Sequence, residues 1–172
     1  MILLIIVIII AIPLIMALFI KKDYTVQREI TINKSNDVVY NYVKYLRNQE
    51  QYSKWVMTDP AMRKKLTGTD GTVGFIYAWD SDNKQAGKGE QEIMQLQEGK
   101  EVDTEVRFIK PFEGIAHIIM TTETAGENQT KVSWGMTGQN KYPMNFMNLF
   151  IGNMLGKDLD VSLNNLKTIL EK

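Results

Sequence analysis

Apolar and polar positions divide the chain near residue 21. From Ile2 to Ile20 there is no charge, and nearly every position is Ile, Leu, Val, Met, Ala or Phe. After Lys21, Lys22 and Asp23 the sequence becomes mixed. Tyr24 to Ile32 then alternates, with Val26, Ile30 and Ile32 on one face and Arg28 as the exception, which predicts a short edge strand. Ser35 suits an N-cap and Asp37 the first turn of a helix. Val38, Val39, Tyr42, Tyr45 and Leu46 give that helix an apolar stripe. A second short helix is expected over Gln49 to Trp55, with Asp59-Pro60 closing it.

From Ala61 the period changes to two. Strands are predicted over Ala61 to Thr67, Val73 to Trp79, Ala86 to Leu96, Val102 to Ile109, Ile115 to Thr124, and Gln129 to Gly138. Gly68 to Gly71 (GTDG) reads as a tight hairpin turn. Glu98-Gly99, Pro111 to Gly114 and Gly126 to Asn128 punctuate the later runs. Six consecutive short strands argue for an antiparallel meander. The chain closes with a predicted helix over Met144 to Leu170. Its apolar residues Met147, Ile151, Leu155, Leu159, Leu163, Leu166 and Leu170 recur at three or four. Such a helix needs a wide apolar partner, and a bent sheet supplies one. The expected class is therefore α+β, in the order β-α-α-β6-α: a curved antiparallel sheet of about seven strands around a long C-terminal helix.

The first segment changes the picture of the whole. Nineteen helical residues rise about 28 Å, close to the roughly 30 Å of a bilayer core. Residues 1–23 are therefore expected to be a single-pass transmembrane anchor with a basic flank, and 24–172 the folded domain. A cleaved signal and a buried helix are the alternatives. No Lys or Arg precedes the apolar run, and Ala17, Leu18 and Phe19 make a poor cleavage site, which favours the anchor. Lys21, Lys22 and Arg28 follow the run, so the positive-inside rule predicts a cytoplasmic domain.

Charge excludes more than it assigns. The chain carries 20 Lys and Arg against 20 Asp and Glu, with no basic block, so no nucleic-acid partner is expected. It has no cysteine and a single histidine, which leaves no disulfide, no thiolate nucleophile and no His- or Cys-built zinc site. No calcium-loop spacing occurs. GTDGTVG lacks the Lys of a phosphate loop, and no serine nucleophile elbow is present. The sequence points to no cofactor, no metal and no catalytic residue.

Other residues bear on ligand binding. Phe75, Tyr77 and Trp79 form an aromatic row on one strand face, and Trp134 and Met136 share a face two residues apart. Tyr77 offers a hydroxyl. His117 shares parity with Ile119 and Thr121, and either face of that strand fits the interior. Its readings are a ligand hydrogen bond, a catalytic base, or a structural or exposed role. Gly152 and Gly156 stand four apart in the last helix, where each costs about 1 kcal/mol. They leave either a groove for a ligand or room for close helix–sheet packing. Met144, Met147 and Met154, with Phe146 and Phe150, suit an adaptable apolar site or ordinary packing. Glu101, Asp103, Glu105 and Arg107 alternate with Val102, Thr104, Val106 and Phe108, an outer face against an inner one.

Three stretches carry a resemblance. They are the strand entering INKSNDVVYNYV, the pair GTDGTVGFIYAW and GKGEQEI, and the series KPFEGIAHIIMTTE, QTKVSWGMTGQN and SLNNLKTILEK. In this order the chain from Thr25 to Lys172 resembles the helix-grip fold of the START-like (SRPBCC) superfamily, in its polyketide cyclase/dehydrase-type branch. The resemblance implies a deep apolar cavity between sheet and C-terminal helix, and a hydrophobic small molecule or lipid as partner. The cavity candidates are then Phe75, Tyr77, Trp79, His117, Trp134, Met136, Met147, Ile151, Gly152, Leu155, Gly156 and Leu159. Three functions compete: binding or carriage of a hydrophobic ligand, a cyclase- or dehydratase-like enzyme, and a structural or regulatory domain without ligand.

Overall fold

The structure, a computed structural model, describes residues 2–172. Helix α1 (Ile2–Ala17) is followed by strand β1 (Asp23–Ile32), helix α2 (Asn36–Val43), a 3-10 turn (Leu46–Asn48) and the short helices α3 (Gln49–Tyr52) and α4 (Lys54–Met57). Strands β2 (Arg63–Thr67), β3 (Ile76–Asp80), β4 (Lys88–Gln97), β5 (Glu101–Lys110), β6 (Gly114–Gly126) and β7 (Gln129–Gln139) form the meander. A second 3-10 turn (Met144–Met147) leads into α5 (Asn148–Leu170). The sheet is antiparallel in every pairing, in the order β1-β7-β6-β5-β4-β3-β2. β1 thus sits on an edge, beside the last strand, and α5 packs across the concave face. This is the α+β helix-grip architecture.

Alternation decides which face is inside. On β5, Val102, Thr104 and Val106 are buried while Glu101, Asp103 and Glu105 face outward. β6 does the same with Ala116, Ile118, Met120 and Thr122. A bulge between Ile93 and Gln95 leaves Met94 outside the β4–β5 register, and such an extra residue bends and twists its strand. The second half of α5 closes the core: Leu159, Leu163 and Leu166 have no solvent exposure. Each such burial is worth roughly 1.5–3 kcal/mol. A smaller cluster, Leu46, Met62, Phe75, Tyr77 and Ile93, lies beneath the short helices.

Two expectations are corrected here. The segment GTDG lies in the β2–β3 hairpin, as expected, but does not close it on its own. Residues 68–75 form a wider connection, because the Asp70 carboxylate accepts from the backbone N–H of Leu46 and Arg47, at 2.8 and 3.1 Å. It caps the 3-10 turn that leads to α3, and it also accepts from the Gly71 N–H in its own turn at 2.9 Å.

The second correction concerns the N-terminus. α1 stops at Ala17 after 16 residues, a rise of about 24 Å against the roughly 30 Å of a bilayer core. The chain then leaves the helical path. Leu18 and Phe19 donate to Ile15 and Met16. The buried Asn145 side chain donates to the carbonyls of Ala17 and Ile20, and Asn148 to those of Lys21 and Lys22. Among the described residues no helix is long and apolar enough to cross a membrane. The transmembrane anchor at 1–23, the membrane as a partner through residues 2–20, and the single-pass location with its cytoplasmic domain are therefore withdrawn. Hydropathy alone makes the apolar run one continuous helix, but its end is spent on contacts with Asn145 in the 3-10 turn and Asn148 at the start of α5.

Candidate functional site

The first half of α5 packs less fully than the second, with Ile151 and Leu155 only partly buried. A cavity of about 330 Å³ lies there, between the sheet, α3, α4 and α5. Two of its aromatic walls depend on glycines in the neighbouring strands. Trp79 is paired with Gly89, and a Cβ at Gly89 would meet the Trp79 ring at 2.8 Å. The bare backbone lets the indole lie across β4, where it meets Phe108 edge-on at 6.5 Å and donates to the Ala86 carbonyl at 3.0 Å. On the opposite side Tyr24 is paired with Gly138, and a Cβ there would strike the tyrosine ring at 2.6 Å.

Trp134, from β7, forms part of the cavity wall and is 1% exposed. Trp55 and Tyr52 hold its indole by edge-on contacts at 6.0 and 5.7 Å. The chain has three tryptophans, Trp55, Trp79 and Trp134, and all of them line this cavity. Val106, Phe108, Ile118, Met136, Ile151 and Leu155 supply aliphatic and aromatic surface between them. Gln49, Ser53 and Gln91 add neutral polar groups. Gln85, Lys110 and Met154 are exposed and mark the mouth.

The two tyrosines in the wall are held in their protonated forms. Burial raises the Tyr77 hydroxyl well above the ordinary tyrosine range, and the Glu50 carboxylate that accepts its hydrogen bond at 3.0 Å pushes the same way. Burial also raises Tyr24. Glu50 is itself engaged by Lys64 at 2.8 Å. Desolvation alone would raise its carboxyl, but the hydrogen bonds from Lys64 and Tyr77 together bring it below the usual glutamate range. Among the described residues no group of His, Asp and Glu has the arrangement to hold a metal ion.

A larger hollow, of about 970 Å³, opens beside the turn from β5 to β6 and shares Phe108 and Pro111 with the cavity. Its rim carries the exposed Phe112, Glu113 and Lys141. The smaller space is walled mainly by apolar side chains on the inner side of the sheet.

Of the residues singled out in the sequence, Tyr77, Trp79, Trp134, Met136, Ile151 and Leu155 come together in the cavity wall. Phe75 is buried in the smaller cluster and Leu159 in the main core. His117 lies on the outer face, its side chain 59% exposed and Nε2 3.9 Å from a Glu105 oxygen. Met147 is exposed on the turn before α5. Gly152 faces open space, and the Arg28 guanidinium lies over Gly156.

The sequence left other wall residues unassigned, among them Tyr24, Gln49, Ser53, Trp55 and Gln91. Val106 and Phe108 were legible as inner-face positions, and Met154 as part of the methionine group. The residues of α3 and α4 carried no such signal, because nothing in a four-residue helix says which part of the sheet it will cover.

Comparison with known proteins follows the geometry. Norcoclaurine synthase from Thalictrum flavum, solved with dopamine and hydroxybenzaldehyde, is similar in fold at a TM-score of 0.65 and 9% identity, over 86% of each chain. The Aha1 dimer from Colwellia psychrerythraea aligns at a TM-score of 0.59 and 19% identity, over 86% of this chain and 96% of that one. Protein CV1439 from Chromobacterium violaceum aligns at 0.61 and 13%, over 86% and 97%. At these identities the likeness concerns the fold alone. No curated protein matches the chain in sequence. The family model described as polyketide cyclase / dehydrase and lipid transport matches residues 23–171, and the chain belongs to that family.

Proposed function

We propose that the domain binds or carries a small hydrophobic ligand in the cavity between the sheet and the first half of α5. The observation behind this reading is the 330 Å³ space itself, walled by three tryptophans and aliphatic side chains, beside a core that is otherwise sealed. Apolar walls facing an empty volume lose contacts that a ligand would restore. The volume is at the low end for small-molecule sites, which suits a single ring system or one chain better than a two-chain lipid. Trp79, Trp134, Met136, Ile151 and Leu155 are its main apolar contacts. The reading assigns no reaction: the tyrosines of the wall keep their protons, and His117 lies on the far face of the sheet.

A ligand that binds only the folded state raises the melting temperature with its concentration. A panel of uncharged ring and chain compounds should therefore protect the full-length protein against heat, in a saturable way. Failure of every member to protect, up to its solubility, would rule the reading out.

A further inference from the structure

The closed end of the cavity differs chemically from its mouth. Gln49, Ser53, Gln91 and Trp134 all line it, and none is more than 8% exposed. Gln49, Gln91 and Trp134 also border a recess of about 10 Å³ just beyond, near the lower limit for one water. Every one of these groups is a neutral hydrogen-bonding side chain. The only ammonium or carboxylate in the wall is Lys110, exposed at the opposite end.

Their capacity is only partly used. Gln91 Nε2 donates to Thr104 Oγ1 at 2.9 Å, and that hydroxyl donates to the Ile118 carbonyl at 3.3 Å. The chain of bonds fixes the Gln91 amide and leaves its carbonyl oxygen free of it. Ser53 stands at the break between α3 and α4 without a capping bond from its hydroxyl. The Trp134 indole N–H is sealed off from the cavity as it is from solvent, so the donors open to a ligand are those of Gln49 and Ser53. An unsatisfied buried donor is costly, and such groups in folded proteins call for a partner.

Resting on the reading above, we propose that this end is a polar subsite for an uncharged group, and that the ligand is a largely apolar molecule bearing a carbonyl or hydroxyl at one end. The oxygen enters first and accepts hydrogen bonds from the Gln49 amide and the Ser53 hydroxyl, and the apolar body fills the space toward Met154. An ionised group is disfavoured there, because neutral amides replace its hydration poorly.

Three probes with one body separate the possibilities: 2-acetylnaphthalene, 2-ethylnaphthalene, in which CH2 replaces the carbonyl, and the anion 2-naphthoate. Calorimetric titration of the full chain should find 2-acetylnaphthalene bound about five- to tenfold tighter than 2-ethylnaphthalene, the gain from one or two net hydrogen bonds. Naphthoate should bind weakest. Gln49→Leu and Ser53→Ala should each shrink the ratio of acetyl to ethyl affinity; thermal melts confirm folding. Equal binding of the acetyl and ethyl probes, or a preference for naphthoate, overturns the subsite and leaves the cavity reading intact. A preference that survives both substitutions overturns the assignment of these residues. Absence of binding by all three overturns the subsite and the cavity reading together.

Discussion

The two halves of α5 meet the same sheet and do different things. From Leu159 to Leu166 the helix presses leucines into the sheet and no space remains. From Leu149 to Leu155 it exposes Leu149, Phe150 and Met154, and leaves a cavity under Ile151 and Leu155. The periodicity is the same throughout. What differs is what lies beneath the stripe: buried side chains under Leu159, Leu163 and Leu166, and a cavity under Ile151 and Leu155. An apolar stripe therefore identifies the face of a helix that is hidden from water, and leaves open whether protein or ligand does the hiding.

The strongest way to break this contrast is to truncate both halves. Leu163→Ala should cost about 2–5 kcal/mol in denaturant unfolding, as a sealed leucine leaves a new void. Ile151→Ala, half-buried over space already present, should cost about 1 kcal/mol. Equal losses would mean that the first half of α5 is packed like the second.

Overfilling sharpens the same contrast. Gly89→Ala places a methyl group against the Arg107 carbonyl, 2.7 Å away, and against the Trp79 ring. It should destabilise by about 1–3 kcal/mol and shift the Trp79 emission, since the indole must leave its seat across β4.

The helix glycines should respond differently. Gly152→Ala meets nothing within 4 Å and should raise stability by about 0.5–1 kcal/mol through helix propensity alone. Gly156→Ala displaces the guanidinium of Arg28, which bonds Asp160 at 3.2 Å and the Gln27 carbonyl at 2.7 Å. Its stability should show no gain, by the same melts.

The smallest effect is expected from pH. Glu50 ties α3 to β2 through Lys64 and to β3 through Tyr77. Its carboxyl is held below its unfolded value, so its contribution is present above the ordinary glutamate range and is lost as pH falls through that range toward the folded value. Unfolding curves between about pH 6 and pH 3.5 should show a shallower acid loss for Glu50→Gln than for the parent chain.

Much of the architecture could be read in advance. Val102, Thr104 and Val106 declared the inner face of β5 by alternation, and Leu159, Leu163 and Leu166 declared the helix stripe. The edge position of β1 also followed from its short alternating run. The cavity was less legible. Trp134 and Ile151 carried periodic signals, but Gln49, Ser53 and Trp55 sit on helices too short for a period. Tyr24 reaches the wall only because Gly138 lacks a side chain, a pairing that depends on register. The N-terminal run misled for a related reason: hydropathy sees nineteen apolar residues, whereas the helix ends where Asn145, more than a hundred residues away, takes its carbonyls.

The position of the tryptophans makes the cavity its own reporter. N-phenyl-1-naphthylamine, uncharged and largely apolar, accepts energy from tryptophan emission and can be titrated into the full-length protein. Saturable transfer at one probe per chain is expected, and Ile151→Phe combined with Leu155→Phe should abolish it while the protein stays folded. Transfer that never saturates, or that persists unchanged when those two side chains fill the space, would contradict ligand binding between the sheet and α5.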